Sequence, residues 1–215
     1  MANQAMKPQI RFKGFTDAWE QRELGECTAK VERKAEIDTD APIMMISAAN
    51  GFIEQSEKYS GNNAGSSLAN YTLLYEGELA YNHGYSKLRN FGSCFDLRCK
   101  KARIPFVYHA FSLKSGIPMF FAYYLNCGKF DGELKKRVSS TARMDGLLNI
   151  SYEDYMSLKL DIPNELEQHK IASIVTVFDN LITLHQRGLI TYIRRNVWQK
   201  KKHLLNYSAI ILNAG

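Results

Sequence analysis

Residues 158–171, Leu158-Lys-Leu-Asp-Ile-Pro-Asn-Glu-Leu-Glu-Gln-His-Lys-Ile171, decide how this chain is organised. The run 158–162 is strand-like. It meets Pro163, which has no N–H for a sheet ladder and sits well just ahead of a helix. Asn164 can then cap that helix, and Glu165 and Glu167 put negative charge into its first turn, where the macrodipole favours it. Apolar residues follow at helical spacing: Ile171, Ile174, Val175, Phe178, Leu181, Ile182 and Leu189, with His185 in the same rows. The sequence therefore predicts one domain over residues 1–163 and one long helical segment over 164–215. At 1.5 Å per residue, a helix of more than thirty residues would reach roughly 45–50 Å.

The apolar stripe is wider than a strict two-position seam. It suits a helix that meets a partner helix and a domain surface together. A helix folded back on its own domain is the alternative that periodicity leaves open. Ile171, Ile174, Val175, Phe178, Leu181 and Ile182 are the expected interface residues. Gly188 weakens the middle of the segment by about 1 kcal/mol relative to Ala.

Ahead of Pro163 the signals change to short strands, turns and short helices. The aromatics Phe12, Phe15 and Trp19 punctuate a polar entry segment in which Pro8 and Gly14 oppose regular structure. The expectation is a packed arm with Trp19 as its anchor. Residues 43–47 are apolar and lead to Asn50-Gly51, a hairpin signal, and then to 52–54. Residues 71–75 and 78–82 flank a turn at Glu76-Gly77. Residues 91–97 and 105–113 are predicted strands. A helix is predicted over 117–125, with Pro118 in its first turn, and a shorter one over 130–138. The fold class is α+β: a mixed-strand domain followed by a long C-terminal helix.

The 215 residues are 45% apolar, which permits a real core. The formal charge is +6, with a pI near 9, which fits a polyanion better than a basic partner. Cys27, Cys94, Cys99 and Cys127 form no C-x-x-C pair, and they fit idle thiols in a reducing cytosol. No run approaches a membrane span, and residues 1–5 lack a signal-peptide pattern, so the expected location is cytoplasmic. Catalytic signatures are missing: no phosphate-binding glycine loop, no H-E-x-x-H, no G-x-S-x-G elbow and no glycine-rich methyl-donor loop. No catalytic residue, metal site or cofactor is expected.

Several loops instead mix cations, amides and aromatics. Residues 82–90 hold Asn82, Tyr85, Lys87 and Arg89; a second group is Lys135, Arg137 and Arg143; a third is Lys100, Lys101 and Arg103. Lys and Arg suit phosphates or guanine edges, and Asn suits adenine. Each group reads equally well as a hydrated surface turn. From composition alone, the candidate DNA contacts are Asn82, Tyr85, Lys87, Arg89, Lys135, Arg137 and Arg143.

In combination, the chain resembles the specificity subunit of type I restriction–modification enzymes. Three places carry the likeness: the entry segment Lys7-Pro-Gln-Ile-Arg-Phe-Lys-Gly-Phe-Thr-Asp-Ala-Trp-Glu-Gln-Arg-Glu-Leu-Gly25, the run Glu76-Gly-Glu-Leu-Ala-Tyr-Asn82, and Ile162-Pro-Asn-Glu-Leu-Glu-Gln-His-Lys-Ile171 continuing through Phe178-Asp-Asn-Leu-Ile-Thr-Leu-His-Gln-Arg187. The last is similar to the family's Ile-Pro-x-x-x-Glu-Gln-x-Lys-Ile pattern. The resemblance implies a target recognition domain that reads half of a split site on double-stranded DNA. It also implies a helix that pairs as an antiparallel coiled coil and sets the spacing of the half-sites. Chemistry would belong to the partners, a methyltransferase subunit using S-adenosylmethionine and an ATP-driven restriction subunit. Family members carry two recognition domains and two such helices. This chain has one of each, so the resemblance implies a half-length form that pairs with itself or with another half. The stretch 188–192 departs from the family's charged pattern. A protein-interaction scaffold without DNA affinity, or a fragment that folds without function, is the alternative.

Overall fold

The computed structural model describes residues 8–36, 39–55, 70–138 and 148–212, with side chains described as far as Leu189. The chain divides into two compact units, Met1–Ala172 and Ser173–Gly215. In chain order the elements are β1 (Glu20–Glu23), α1 (Leu24–Cys27), β2 (Thr28–Lys30), β3 (Met44–Ser47), β4 (Gly51–Glu54), β5 (Thr72–Tyr75), β6 (Leu79–Asn82), β7 (Ser93–Asp96), β8 (Lys101–Ile104), β9 (His109–Leu113), α2 (Pro118–Leu125), α3 (Asp131–Arg137), α4 (Tyr152–Met156), β10 (Lys159–Ile162) and α5 (Glu165–Leu212). The first unit is a mixed α+β domain, and the long C-terminal helix begins inside it.

A four-stranded antiparallel sheet in the order β2-β9-β6-β7 divides the domain's core in two. Strand side chains alternate between faces. On one face Leu79, Tyr81, Cys94 and Phe111 pack with Phe120, Phe121, Leu125, Leu134, Tyr155 and Leu160. On the other, Ala80 and Ala110 pack with Val31, Ile46, Leu74, Leu97 and Ile104, and Phe95 joins them. Burial on both sides explains why β6 reads Leu79-Ala-Tyr-Asn82 rather than as an apolar–polar alternation. The Tyr81 and Tyr155 rings stack at 3.8 Å between centroids, and burial raises both phenols and the Cys94 thiol well above their ordinary pKa values. Gly92 is fixed by this packing. Its φ is +82°, and a Cβ there would meet the Asn82 carbonyl at 2.5 Å and the Tyr81 ring at 2.7 Å.

Three antiparallel strand pairs complete the domain: β1–β10, β3–β4 and β5–β8. The Asn50-Gly51 signal marks the β3–β4 hairpin, where Ser47 pairs with Gly51 at φ +70°. Residues 71–75 and 78–82 do flank a turn, closed by Glu78 N–H to Tyr75 O (3.0 Å), but they enter different sheets. Pro118 opens α2 as expected.

Two expectations need correcting. The strand foreseen over 105–113 covers only His109–Leu113, because 105–108 forms a turn closed by Tyr108 N–H to Pro105 O (3.1 Å). Lys101 and Arg103, foreseen in a surface loop, lie in β8. Ala102 and Ile104 face the core, Lys101 pairs with Asp40, and Arg103 donates to Ala41 O (2.8 Å).

Candidate nucleic-acid interface

The start of α5 explains the sequence around it, residue by residue. Asn164 Oδ1 accepts from the Glu167 N–H (3.0 Å), so Asn164 caps the helix. Gln168 is buried; its Nε2 donates to Pro163 O (2.8 Å) and its Oε1 accepts from Ile117 N–H (3.0 Å). Glu165 accepts from Gly116 N–H (2.8 Å), where φ is +102°. Glu167 is 1% exposed. Its carboxylate takes a two-pronged bond from Arg11, Nε at 2.9 Å and Nη2 at 2.6 Å, and a third from Trp19 Nε1 at 3.2 Å. The same hydrogen bond raises the Arg11 pKa further. Lys170 Nζ lies 5.9 Å from the Phe12 ring and 5.0 Å from the Phe15 ring. The N-terminal arm and the helix start, about 150 residues apart in sequence, therefore close on one another, with the half-buried Trp19 among the contacts.

Further along α5 the side chains of Ile174, Val177, Phe178, Leu181, Ile182, Leu184 and Leu189 are exposed. At about 100° per residue these positions share one half of the helix, and Ser173, Thr176, Asp179, Asn180, Thr183, Gln186 and Arg187 share the other. Of the six foreseen interface residues, Ile171 packs against the domain core, Val175 is half-buried, and the other four are exposed.

The loop and helix residues foreseen as DNA contacts divide in a similar way. Asn82, at the end of β6, donates to Ile46 O (3.2 Å) and accepts from Gly84 N–H (2.9 Å). Arg89 donates through Nη1 to Asn126 O, and Asn126 in turn holds Cys94 N–H (3.0 Å). Arg137 ties α3 to the end of α4, through Ser157 Oγ (3.2 Å), and to Glu133 (2.9 Å). These three side chains are engaged within the domain. Tyr85, Lys87 and Lys135 are exposed. Loop residues 88–92 and residues of α3 line one small cavity of about 60 Å3, so the two groups neighbour one another. Arg143 lies outside the described residues.

Sequence reasoning missed a second cationic and aromatic surface. Lys30 and Lys34, beside edge strand β2, face a cleft shared with Phe106 and Tyr108. The members are 70 residues apart and form no local cluster, so only the fold unites them. Among the described residues, no group of three or more His, Cys, Asp or Glu could hold a metal ion, and no helix is long and apolar enough to cross a membrane.

No family model and no curated protein matches the chain. Among solved structures, the HsdS subunit from Thermoanaerobacter tengcongensis aligns at 13% identity and a TM-score of 0.47, over 82% of this chain and 41% of its own. A type I restriction–modification S subunit from M. genitalium aligns at 18% identity and 0.49, over 81% and 42%. A chain from a structural study of complex assembly and conformational transition in the type I R-M system aligns at 11% and 0.49, over 87% and 44%. This chain thus spans less than half the length of each of these three structures.

Proposed function

We propose that this protein is a non-catalytic DNA-recognition subunit of a type I restriction–modification system. Residues 1–163 act as the target recognition domain. Residues 164–215 act as the helix that pairs with a second such helix and docks a methyltransferase subunit, with a restriction subunit joining the assembly in the cytoplasm. One observation carries this reading. Two of the stretches on which the resemblance rests, 7–25 and 162–171, bond to each other through Arg11, Trp19 and Glu167. A motif whose polar residues each hold a partner has a physical reason to exist, beyond chance composition. The exposed apolar half of α5 supports the pairing role, and the exposed Tyr85, Lys87 and Lys135 support contact with DNA.

In use, Lys contacts to phosphate would supply most of the salt-sensitive affinity, and a few contacts to base edges would discriminate sequence by about 1–3 kcal/mol each. Bond and methyl-group chemistry would take place in the partner subunits. The test mixes the full chain with its cognate methyltransferase subunit, S-adenosylmethionine and random duplex DNA, and maps the adenines that become methylated. The expected result is one recurring sequence context that depends on this chain. Methylation that ignores its presence would reject the reading. A scaffold role without DNA is the second reading, and the exposed apolar half of α5 favours it too; it predicts partner docking with no salt-dependent DNA affinity.

A further inference from the structure

At edge strand β2 the domain holds an open cleft of about 300 Å3, lined among others by Lys30, Glu32, Lys34, Asn70, Phe106 and Tyr108. The Phe106 ring, on the closed turn 105–108, is 58% exposed. A large ring held in water by a fixed turn forgoes burial that a flexible loop would allow it, and a stacking partner restores that burial. Tyr108 and Tyr152 are half-buried along the wall. The cations there are unequal. Lys30 Nζ is 2.6 Å from the Glu32 carboxylate and lies 5.0 Å from the Tyr152 ring centroid, so its charge is already balanced. Lys34 is exposed and has no ion pair among the described residues. His109 also lines the cleft, and burial pushes its pKa down to about 4, so it adds no charge near neutral pH. The cleft therefore offers one exposed ring, one uncompensated cation, and an amide (Asn70) and a carboxylate (Glu32) in its lining.

We infer that this cleft takes one nucleotide of a nucleic-acid strand, its base stacked on Phe106, its phosphate on Lys34, and its polar edge on Asn70 and Glu32. A nucleotide matches the cleft group for group. Its base has a π-face that tolerates any aromatic neighbour. The phosphate is one sugar away from that face. The base edge offers both donors and acceptors, which an amide and a carboxylate can meet. None of these cleft residues lies in the stretches that resemble the restriction-subunit family, so the chemistry stands apart from that likeness. The assignment of the strand to DNA rests on the proposed function.

The test uses the full chain with a fluorescein-labelled 30-nucleotide single strand, its duplex, and free deoxynucleoside monophosphates. Affinity is read by polarisation at several salt concentrations, or by tyrosine fluorescence for the monophosphates. Phe106→Ala should weaken strand binding by about 5- to 150-fold, the range that base–aromatic stacking carries. Lys34→Ala should lower the magnitude of the salt slope by about one. Circular dichroism melting checks that these exposed positions leave the fold intact. If the wild type binds a strand and Phe106→Ala binds it equally well, the cleft is not the site, and the DNA-recognition reading survives. If no strand or duplex binds but monophosphates do, and Phe106→Ala abolishes that, the cleft is a free-nucleotide site and its assignment to a strand is overturned. Polyglutamate competing as well as the strand would mark a general anion surface and overturn the inference. No binding of any probe overturns the inference, and the methylation test decides the proposed function separately.

Discussion

Two stretches of one helix meet opposite fates. In 165–172, Glu167, Gln168 and Ala172 are buried, and the polar side chains Glu165, Glu167, Gln168 and Lys170 each hold a named partner in the domain. In 173–189 the apolar positions continue at the same spacing, yet Ile174, Phe178, Leu181 and Ile182 are more than 40% exposed. Periodicity is thus equal in the two stretches, and burial is not. Polar residues with unique partners fix the helix start to its own domain. The apolar half that follows has no such specification, and it is free to be covered by another apolar surface.

Glu167→Ala should give the largest loss. It leaves Arg11 and Trp19 without the buried Glu167 acceptor, and an unmatched part-buried charge costs more than a surface contact could. Urea unfolding followed by near-ultraviolet circular dichroism, to which the stacked Tyr81 and Tyr155 contribute, should show a lower midpoint than any other variant in this set. A midpoint equal to wild type would mean that the arm and the helix start do not hold each other. Gln168→Ala comes next, at about 2–4 kcal/mol, because both Ile117 N–H and Pro163 O lose their partner.

Acid tests the domain to which the helix start is bound. His109 is held neutral in the domain, its pKa pushed down to about 4 mainly by burial, against an ordinary value of 6.5. Above pH 6.5 neither the folded nor the unfolded state is protonated there, and the stabilisation is complete. As pH falls from 6.5 toward 4 only the unfolded chain takes up the proton, and stability drains away. The loss from this one group between pH 7 and pH 5 is about 2 kcal/mol. His109→Gln, which keeps a donor for Ile150 O, should flatten the domain's stability profile across that window. Parallel profiles for wild type and variant would show that His109 does not titrate with folding.

The same contrast governs how much was legible in advance. Punctuation local in sequence was readable: Pro163 and Asn164 at the helix start, Asn50-Gly51 in the hairpin, Pro118 opening α2. Strand β8 was hidden because Lys101-Ala-Arg-Ile104 carries its charges on the outer face and only Ala102 and Ile104 inward, which resembles a basic loop. Short α1 and α4 are single turns that lack a periodic signal of their own. The candidate interface was readable as composition only. A sequence cannot say that Arg89 will meet the Asn126 carbonyl or that Arg137 will reach Ser157, since those partners arrive by long-range folding. Nor can it say that Phe106 and Lys34 share a cleft.

The smallest effect on stability is expected where the effect on assembly is greatest. Phe178 is 56% exposed and lies in the middle of the apolar half of α5. Phe178→Asp removes no buried contact, so the domain's unfolding free energy should stay within about 0.5 kcal/mol of wild type. The new carboxylate would, however, have to be desolvated in any helix–helix seam, an unfavourable burial with no cation specified opposite it. Under the proposed function, light scattering should therefore show loss of the paired species, and a pull-down should show loss of the methyltransferase subunit, at unchanged domain stability. A mass and a docking level both equal to wild type would place the partner surface elsewhere. A drop in domain stability as large as that of Glu167→Ala would erase the distinction between the two stretches, since the exposed half would then be serving the domain as the buried start does.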